Sequence, residues 1–328
     1  MSVEIQQKGK VRNVFILSMP RSGSTWLGKI FDSHPNVRYH HEPDTDMRPP
    51  QSLQQFFVGE PSLEDIQISM EYATKLLAFR SERASMSLPQ FGKRYRSTSS
   101  DYLYRLAIIL AKGLNRFGAS LSPPPEMLKT ASDAPVEVVK SVSLVSRAPY
   151  VRMAFPEADV IHLLRHPCGY VSSRLRGEKL GFSTDSFVDT MVKSPYCLKK
   201  NITAEYMKGL RIEEQMALGW LASNQFAMDS LNGDPRYLPF SYDELCQQPS
   251  LSVANLMAWN GLGFYPEIQR FVEQSTSPVR SSSRYFSVQR DPKVACAAWK
   301  SELDASQIAR ITRIVEESQV GQFVLEKS

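Results

Sequence analysis

The sequence offers little that points to a membrane span, a metal centre or a disulfide scaffold. Its 328 residues include four cysteines, Cys168, Cys197, Cys246 and Cys296, none in a C-x-x-C pair. That pattern disfavours both a zinc site and a disulfide framework in a chain of this size, so reduced and structurally passive thiols are expected. No uninterrupted apolar run approaches the roughly 18 residues a membrane span requires. The polar opening segment has neither the hydrophobic region of a signal peptide nor an anchor, which makes the cytoplasm the expected location and a membrane partner unexpected. Charge of one sign is also scarce: 39 basic against 34 acidic residues leave a net +5. No dense Lys/Arg run is interleaved with aromatics, so nucleic acid is not an expected partner. With 42% hydrophobic and 22% charged residues the composition is that of a folded globular chain. There is no internal repeat, and oligomeric state is not readable.

What is present is an alternation of buried strands and helices. Apolar runs at 11–18, 37–41, 136–139, 159–164 and 237–240 read as strands. Helical periodicity occupies 24–31, 63–79, 101–114, a stretch around Tyr150, the segment from 165 to 176, a long helix over about 203–231, and 251–259 and 305–315. Residues 177–201 read as polar loop. Such an order implies an α/β fold with a central parallel sheet flanked by helices. Residues 1–328 are expected to form one domain, with a helical cap at 62–116 and a variable, substrate-side stretch at 177–212.

Between the first strand and the first helix lies Met19-Pro-Arg-Ser-Gly-Ser-Thr25. Free backbone N–H groups and the positive end of a helix converge at such a junction, which suits an anion. Gly23 allows close backbone approach, Ser22, Ser24 and Thr25 add hydroxyl donors, and Arg21 adds a cationic fork. This P-loop-like junction lacks G-x-x-x-x-G-K-[ST], and the strand DVIHLL runs into Arg165 rather than an aspartate that would handle magnesium. A metal-free anion site is the expectation.

The motif PRSGSTWL resembles the 5′-phosphosulfate loop of sulfotransferases that use 3′-phosphoadenosine 5′-phosphosulfate (PAPS). A second stretch, VIHLLRHPCGYVSSR, resembles that family's 3′-phosphate motif, with Arg165 and Ser173 at the matching spacing. YLPFSYDELCQQP and YFSVQRDPKVACAAWKSEL resemble later segments of its carbohydrate-type branch. The resemblance implies PAPS as sulfuryl donor without metal, and Ser22 to Thr25 as ligands of the 5′-phosphate. It further implies Arg21 beside the transferring group, Trp26 as an adenine-stacking candidate, and Arg290 and Lys293 as candidates to close over the nucleotide. His166 and Cys168 depart from the family pattern at positions that do not carry the phosphate.

Transfer of a sulfuryl group to a hydroxyl requires a base near Arg21. The Lys-Thr-His histidine of the cytosolic aryl and steroid branch is missing, because the matching stretch is Lys140-Ser141-Val142. Lys140 remains as a source of positive charge. The segment RYHHEP supplies Glu42 as first choice of base, His41 as second and His40 as third, since many carbohydrate-type and bacterial members carry Glu-Pro here. Strand alternation would put His40 and Glu42 on one face and His41 on the other; His34 and His162 read as structural. The expected activity is O-sulfation of a small molecule or carbohydrate. An ATP-dependent phosphotransferase and a non-catalytic nucleotide-binding module are the alternatives.

Overall fold

The computed structural model describes residues 13–53, 56, 61–130, 134–178, 185–277 and 292–327. Five strands, β1 (Asn13–Leu17), β2 (Val37–His41), β3 (Val136–Ser141), β4 (Asp159–Leu164) and β5 (Tyr237–Ser241), form one sheet in the order β2-β3-β1-β4-β5. All four pairings are parallel. Every loop that follows a strand therefore emerges at the same edge.

The strands read as apolar runs because both faces are covered. Phe15 and Leu17 of β1 pack with Val139, Val160 and the helix residues Trp220 and Leu221 on one side. Val14 and Ile16 face the other way, against Leu27, Ile30, Val253 and Leu256. Trp220, Leu221, Leu27 and Ile30 have no accessible surface. Fully burying each such side chain contributes about 1.5–3 kcal/mol. The first helix, Ser24–Asp32, lies close against β2: a Cβ at Gly28 would sit 2.2 Å from the Tyr39 hydroxyl, so a larger residue there would push the helix off the strand.

Two expectations need correction. The single helix expected over 203–231 is two, Ala204–Gly209 and Ile212–Leu231. Gly209 is a poor helix former, Leu210 is extended, and the Glu214 side chain accepts from the Arg211 N–H at 3.0 Å to start the second helix afresh. The polar stretch before Asn201 is not all loop, since it holds the helices Asp185–Met191 and Pro195–Lys199. Ser194 caps the second by accepting from Cys197 N–H, and Pro195 occupies the first helical position, where its missing N–H does no harm. Pro266–Thr276 and Gln319–Leu325 are further helices that the periodicity did not single out.

Candidate active site

From β1 the chain crosses to β2 and returns through β3 on one side, whereas β4 pairs on the other side of β1. The ends of β1 and β4 thus flank the point where strand order reverses, the usual place for a ligand in an open parallel sheet. The Arg21-Ser-Gly turn follows β1, and Arg165 follows β4. Arg21 and Gly23 take left-handed conformations, with φ of 71° and 85°. Glycine is required at 23 for a second reason, because a Cβ there would fall 2.1 Å from Tyr242 Cε2. No described side chain caps the helix that starts at Ser24, which leaves its first N–H groups directed at the loop. Ser22 and Ser24 are buried and Thr25 is exposed.

The two anion motifs meet. Arg165 Nη1 donates to the Arg21 carbonyl at 2.8 Å, and Arg21 Nε donates to Ser173 Oγ at 3.2 Å. Arg165 Nη2 donates to the Ala295 carbonyl at 2.9 Å, and its guanidinium lies 5.2 Å from the Tyr242 ring centre. Buried Arg165 Nε has no hydrogen-bond partner among the described residues. The donor set is two guanidinium groups, three serine hydroxyls and a helix N-terminus, which fits phosphate oxygens. Tyr242 is a site residue that sequence reasoning missed: its segment stands out, but nothing in it shows that the ring backs both Gly23 and Arg165. The departures from the family pattern are absorbed locally. The His166 ring stacks on Trp299 at 4.4 Å, its backbone N–H donates to Asp243 Oδ2 at 3.0 Å, and Cys168 is buried.

Trp26 is not brought to this loop. Its indole lies in the core beneath the helix and donates from Nε1 to Ser275 Oγ at 2.9 Å. Lys293 falls in the helix Pro292–Ala297, and Arg290 lies outside the described residues.

A second cluster forms at the ends of β2 and β3. Register sets Lys140 opposite both His41 and Ile16, so it occupies the strand between β2 and the strand leading to the anion loop. Lys140 is buried, and its ammonium donates to Glu42 Oε1. The Glu42 backbone N–H donates to the Lys140 carbonyl at 2.8 Å, and Arg83 Nη1 stands 3.7 Å from Glu42 Oε2. Burial alone would raise the Glu42 carboxyl, but the Lys140 ammonium, its hydrogen bond, His41 and Arg83 outweigh that and hold its pKa below the ordinary value. Burial lowers the Lys140 pKa, and Glu42 offsets this only in part.

The alternation expected for His40, His41 and Glu42 stops at His41. Glu42 turns into the left-handed region at φ 48° ahead of Pro43, so strand periodicity no longer governs it. Its carboxylate interacts with His41, whose Nδ1 is 3.0 Å from the Tyr39 hydroxyl and whose pKa falls to about 4 through burial and Lys140. His40 points elsewhere, bonded to Glu137 at 2.8 Å and facing Arg80 at 3.2 Å. His34 is buried edge-on to Tyr265, and His162 is held between Asn224 and Tyr237. One further acid was passed over in the breaker-rich stretch after Glu42. Asp44 is buried, accepts hydrogen bonds from the Ser141 and Ser143 hydroxyls, and has its pKa raised by burial despite them.

Among known proteins, the Sulfotransferase family matches residues 13–267, a span that includes both anion motifs and the Lys140–Glu42 pair. The chain belongs to the sulfotransferase family. Human carbohydrate sulfotransferase 2 is 25% identical over 91% of this sulfotransferase-family chain and 62% of the human protein. The chain thus spans less than two thirds of that relative. Mouse carbohydrate sulfotransferase 5 is 22% identical over 93% of the chain and 79% of its own length. Among solved structures, the sulfotransferase domain of the curacin biosynthetic pathway aligns at 16% identity and a TM-score of 0.45, covering 94% of this chain and 98% of that domain. Retinol dehydratase in complex with androsterone and inactive cofactor PAP aligns at 12% identity and a TM-score of 0.41, covering 94% of this chain and 81% of that chain.

Proposed function

We propose that this sulfotransferase-family chain moves a sulfuryl group from PAPS to a hydroxyl of a carbohydrate or other small acceptor. The observation that carries the reading is the contact between the two anion motifs: Arg165 to the Arg21 carbonyl, and Arg21 to Ser173. Residues 144 and 152 positions apart are drawn into one cationic cradle. Ser22, Gly23, Ser24 and Thr25 with the helix N-terminus would hold the 5′-phosphate, and Arg165 and Ser173 the 3′-phosphate. PAPS bound there supplies the activated sulfuryl group.

This chain's residues then have separate tasks. Glu42, ionised at neutral pH, accepts the proton of the acceptor hydroxyl, and its position beside Lys140 sets that carboxylate near the strand that leads into the loop. Lys140 and Arg21 place positive charge where negative charge builds on the transferring group and on the leaving phosphate. The same ion pair weakens Glu42 as a base, so drawing Lys140 toward an anionic cofactor raises the basicity of Glu42 when the cofactor is present. His41 is uncharged at neutral pH and serves to position Glu42.

Residues 62–116 and 177–212 are proposed to supply acceptor recognition within a single domain spanning 1–328. The cytoplasm is the proposed location, supported by four cysteines that are all buried free thiols. Cell fractionation that recovers the protein inside a secretory compartment would overturn that location.

The test of function is thermal stabilisation by 3′-phosphoadenosine 5′-phosphate set beside ATP with magnesium, followed by transfer of labelled sulfate from PAPS to a sugar panel. Ligand binding raises the melting temperature by mass action. Stabilisation by ATP alone would sink the sulfotransferase reading. Stabilisation by the bisphosphate without turnover on any acceptor would favour the non-catalytic module.

A further inference from the structure

Two of the four cysteines meet beside the anion cradle. Cys246 lies on the helix Tyr242–Gln247 and Cys296 on the helix Pro292–Ala297, and these two helices pack against each other. Both side chains belong to the apolar cluster on one face of the sheet, together with Tyr242. The Cys246 thiol is hydrogen-bonded to Cys296, and the Cys296 thiol donates onward to the Lys293 carbonyl at 3.3 Å. The Tyr242 hydroxyl is hydrogen-bonded to the Cys246 sulfur as well. Contacts therefore run from the phosphate loop through the Tyr242 ring to two adjacent thiols. The other two cysteines have hydroxyl neighbours instead, Thr312 at Cys168 and Ser194 at Cys197.

The two thiols are unequal. Cys296 keeps 8% of its accessible surface, whereas Cys246, Cys168 and Cys197 keep none. The hydrogen bond from Cys246 holds the Cys296 thiol below its ordinary pKa against burial and Asp243, and the nearby Arg165 charge acts in the same direction. Burial pushes the Cys246 thiol well up and raises Cys168 and Cys197 too. Thiolate character and access decide which cysteine an oxidant attacks. Both favour Cys296, and Cys246 is the neighbour placed to close a disulfide with it.

We propose that Cys246 and Cys296 form an oxidisable pair whose disulfide weakens cofactor binding in the cradle. The Cys296 sulfur attacks hydrogen peroxide, the O–O bond breaks, and Cys296 becomes a sulfenic acid as one water leaves. The Cys246 sulfur then attacks the sulfenic sulfur, the S–O bond breaks, and the hydroxyl departs as a second water with the Cys246 proton. Two thiols thus give two electrons and two protons to one peroxide, and a dithiol reductant returns them. The bridge reaches the cradle at two points. Ala295, next to Cys296, supplies the carbonyl that holds Arg165 Nη2 at 2.9 Å. Tyr242, one turn before Cys246, sets its ring against Gly23 and 5.2 Å from the Arg165 guanidinium. A covalent bond draws the sulfurs closer than a hydrogen bond does, so both elements shift against a loop they closely pack. The reduced form is the binding form. The link to cofactor affinity rests on the cradle being the PAPS site, whereas the bridge itself does not.

The experiment treats the reduced full chain with hydrogen peroxide and maps disulfides by mass spectrometry of non-reduced peptides. Affinity for 3′-phosphoadenosine 5′-phosphate is then measured by calorimetry. A Cys246–Cys296 bridge is expected, with affinity about tenfold weaker, the scale of one charged hydrogen bond, and full recovery in dithiothreitol. Cys296→Ser should bind like the reduced wild type and be insensitive to peroxide. Cys246→Ala should stop at a sulfenic acid on Cys296 that dimedone labels. Four thiols that remain titratable after peroxide overturn the proposal. So does a bridge between other cysteines, or a bridged protein that binds as tightly as the reduced one. Should Cys296→Ser fail to fold, the wild-type peptide map and the recovery in dithiothreitol still give the answer. A reduced protein that does not bind the bisphosphate counts against the sulfotransfer reading, and the peptide map still decides the pair.

Discussion

The anion loops and the helix Thr98–Asn115 are built on opposite principles. In the loops, polar and charged groups are drawn inward by short connections between buried strands: Ser22, Ser24, Arg165 and Ser173 are all buried, and the two loops hold each other in place. In the helix most of the large apolar groups are turned outward, and its one acid, Asp101, is buried with Ile108 and Ala111. Burial in both regions departs from the simple rule of polar outside and apolar inside. An inward cluster of donors is the arrangement an anion requires, whereas the outward leucines leave apolar surface uncovered by the described residues.

The largest effect is expected at the Lys140–Glu42 ion pair. Glu42→Gln is expected to lower kcat by about 100- to 10,000-fold, the range for loss of a general base, while stabilisation by 3′-phosphoadenosine 5′-phosphate persists. Turnover within a few-fold of wild type would move the base elsewhere, with Asp44 the next candidate. Next in size is the core that carries the loops. Leu221→Ala should cost about 2–5 kcal/mol in urea unfolding, whereas Leu110→Ala on the exposed stripe should stay within about 0.5 kcal/mol. Equal costs would mean that the stripe is packed in solution.

Arg165→Ala should weaken PAPS binding by about 10- to 100-fold in calorimetry, as expected when charged hydrogen bonds are lost, and Arg165→Lys should recover only part because it keeps charge without the fork. Unchanged affinity would remove Arg165 from the cofactor site. The last expectation concerns pH. His34, His41, His162 and His166 have pKa values lowered to about 4, in each case first by burial. Unfolded histidines titrate near 6.5, so between about pH 6.5 and 4 the unfolded chain binds more protons. Stability should be full above that window and decline as pH falls through it. Glu42 adds a loss that begins only below the ordinary carboxylate value and continues as pH falls through its lowered pKa. A melting temperature that is flat from pH 7 to 4 would show that these rings are not held neutral.

Much of the sheet, and the positions of the two loop motifs at the ends of its strands, was legible because the relevant signals are local. The strand runs at 37–41 and 159–164 match β2 and β4, and the Arg-Ser-Gly turn needs only its own neighbours to be recognised. What escaped depends on distant parts of the chain. Periodicity identified the helix near 101–114 but cannot tell which side of an amphipathic helix is covered. Alternation misplaced Glu42 because the left-handed turn before Pro43 ends the strand, and spacing alone did not reveal it. Tyr242 is more than 200 residues from Gly23, so its role against that glycine and Arg165 emerges only in three dimensions. Trp26 is the reverse case, a residue inside the motif whose indole packs in the core beneath the helix.

The helix Ser24–Asp32 has one consequence for charge over distance. At its carboxyl end Lys29 donates to Asp32 at 2.6 Å and to the Pro89 carbonyl at 2.7 Å, while Lys93 donates to the Asp32 carboxylate at 3.0 Å and to its carbonyl. Its negative pole is thereby neutralised inside the protein, and its positive pole, about 13 Å away along nine residues, stays uncompensated at the loop. The strength with which the loop attracts an anion is thus set partly by two lysines that no ligand in the loop would touch, and changes made for stability at Lys29 or Lys93 would alter the electrical asymmetry of the whole helix.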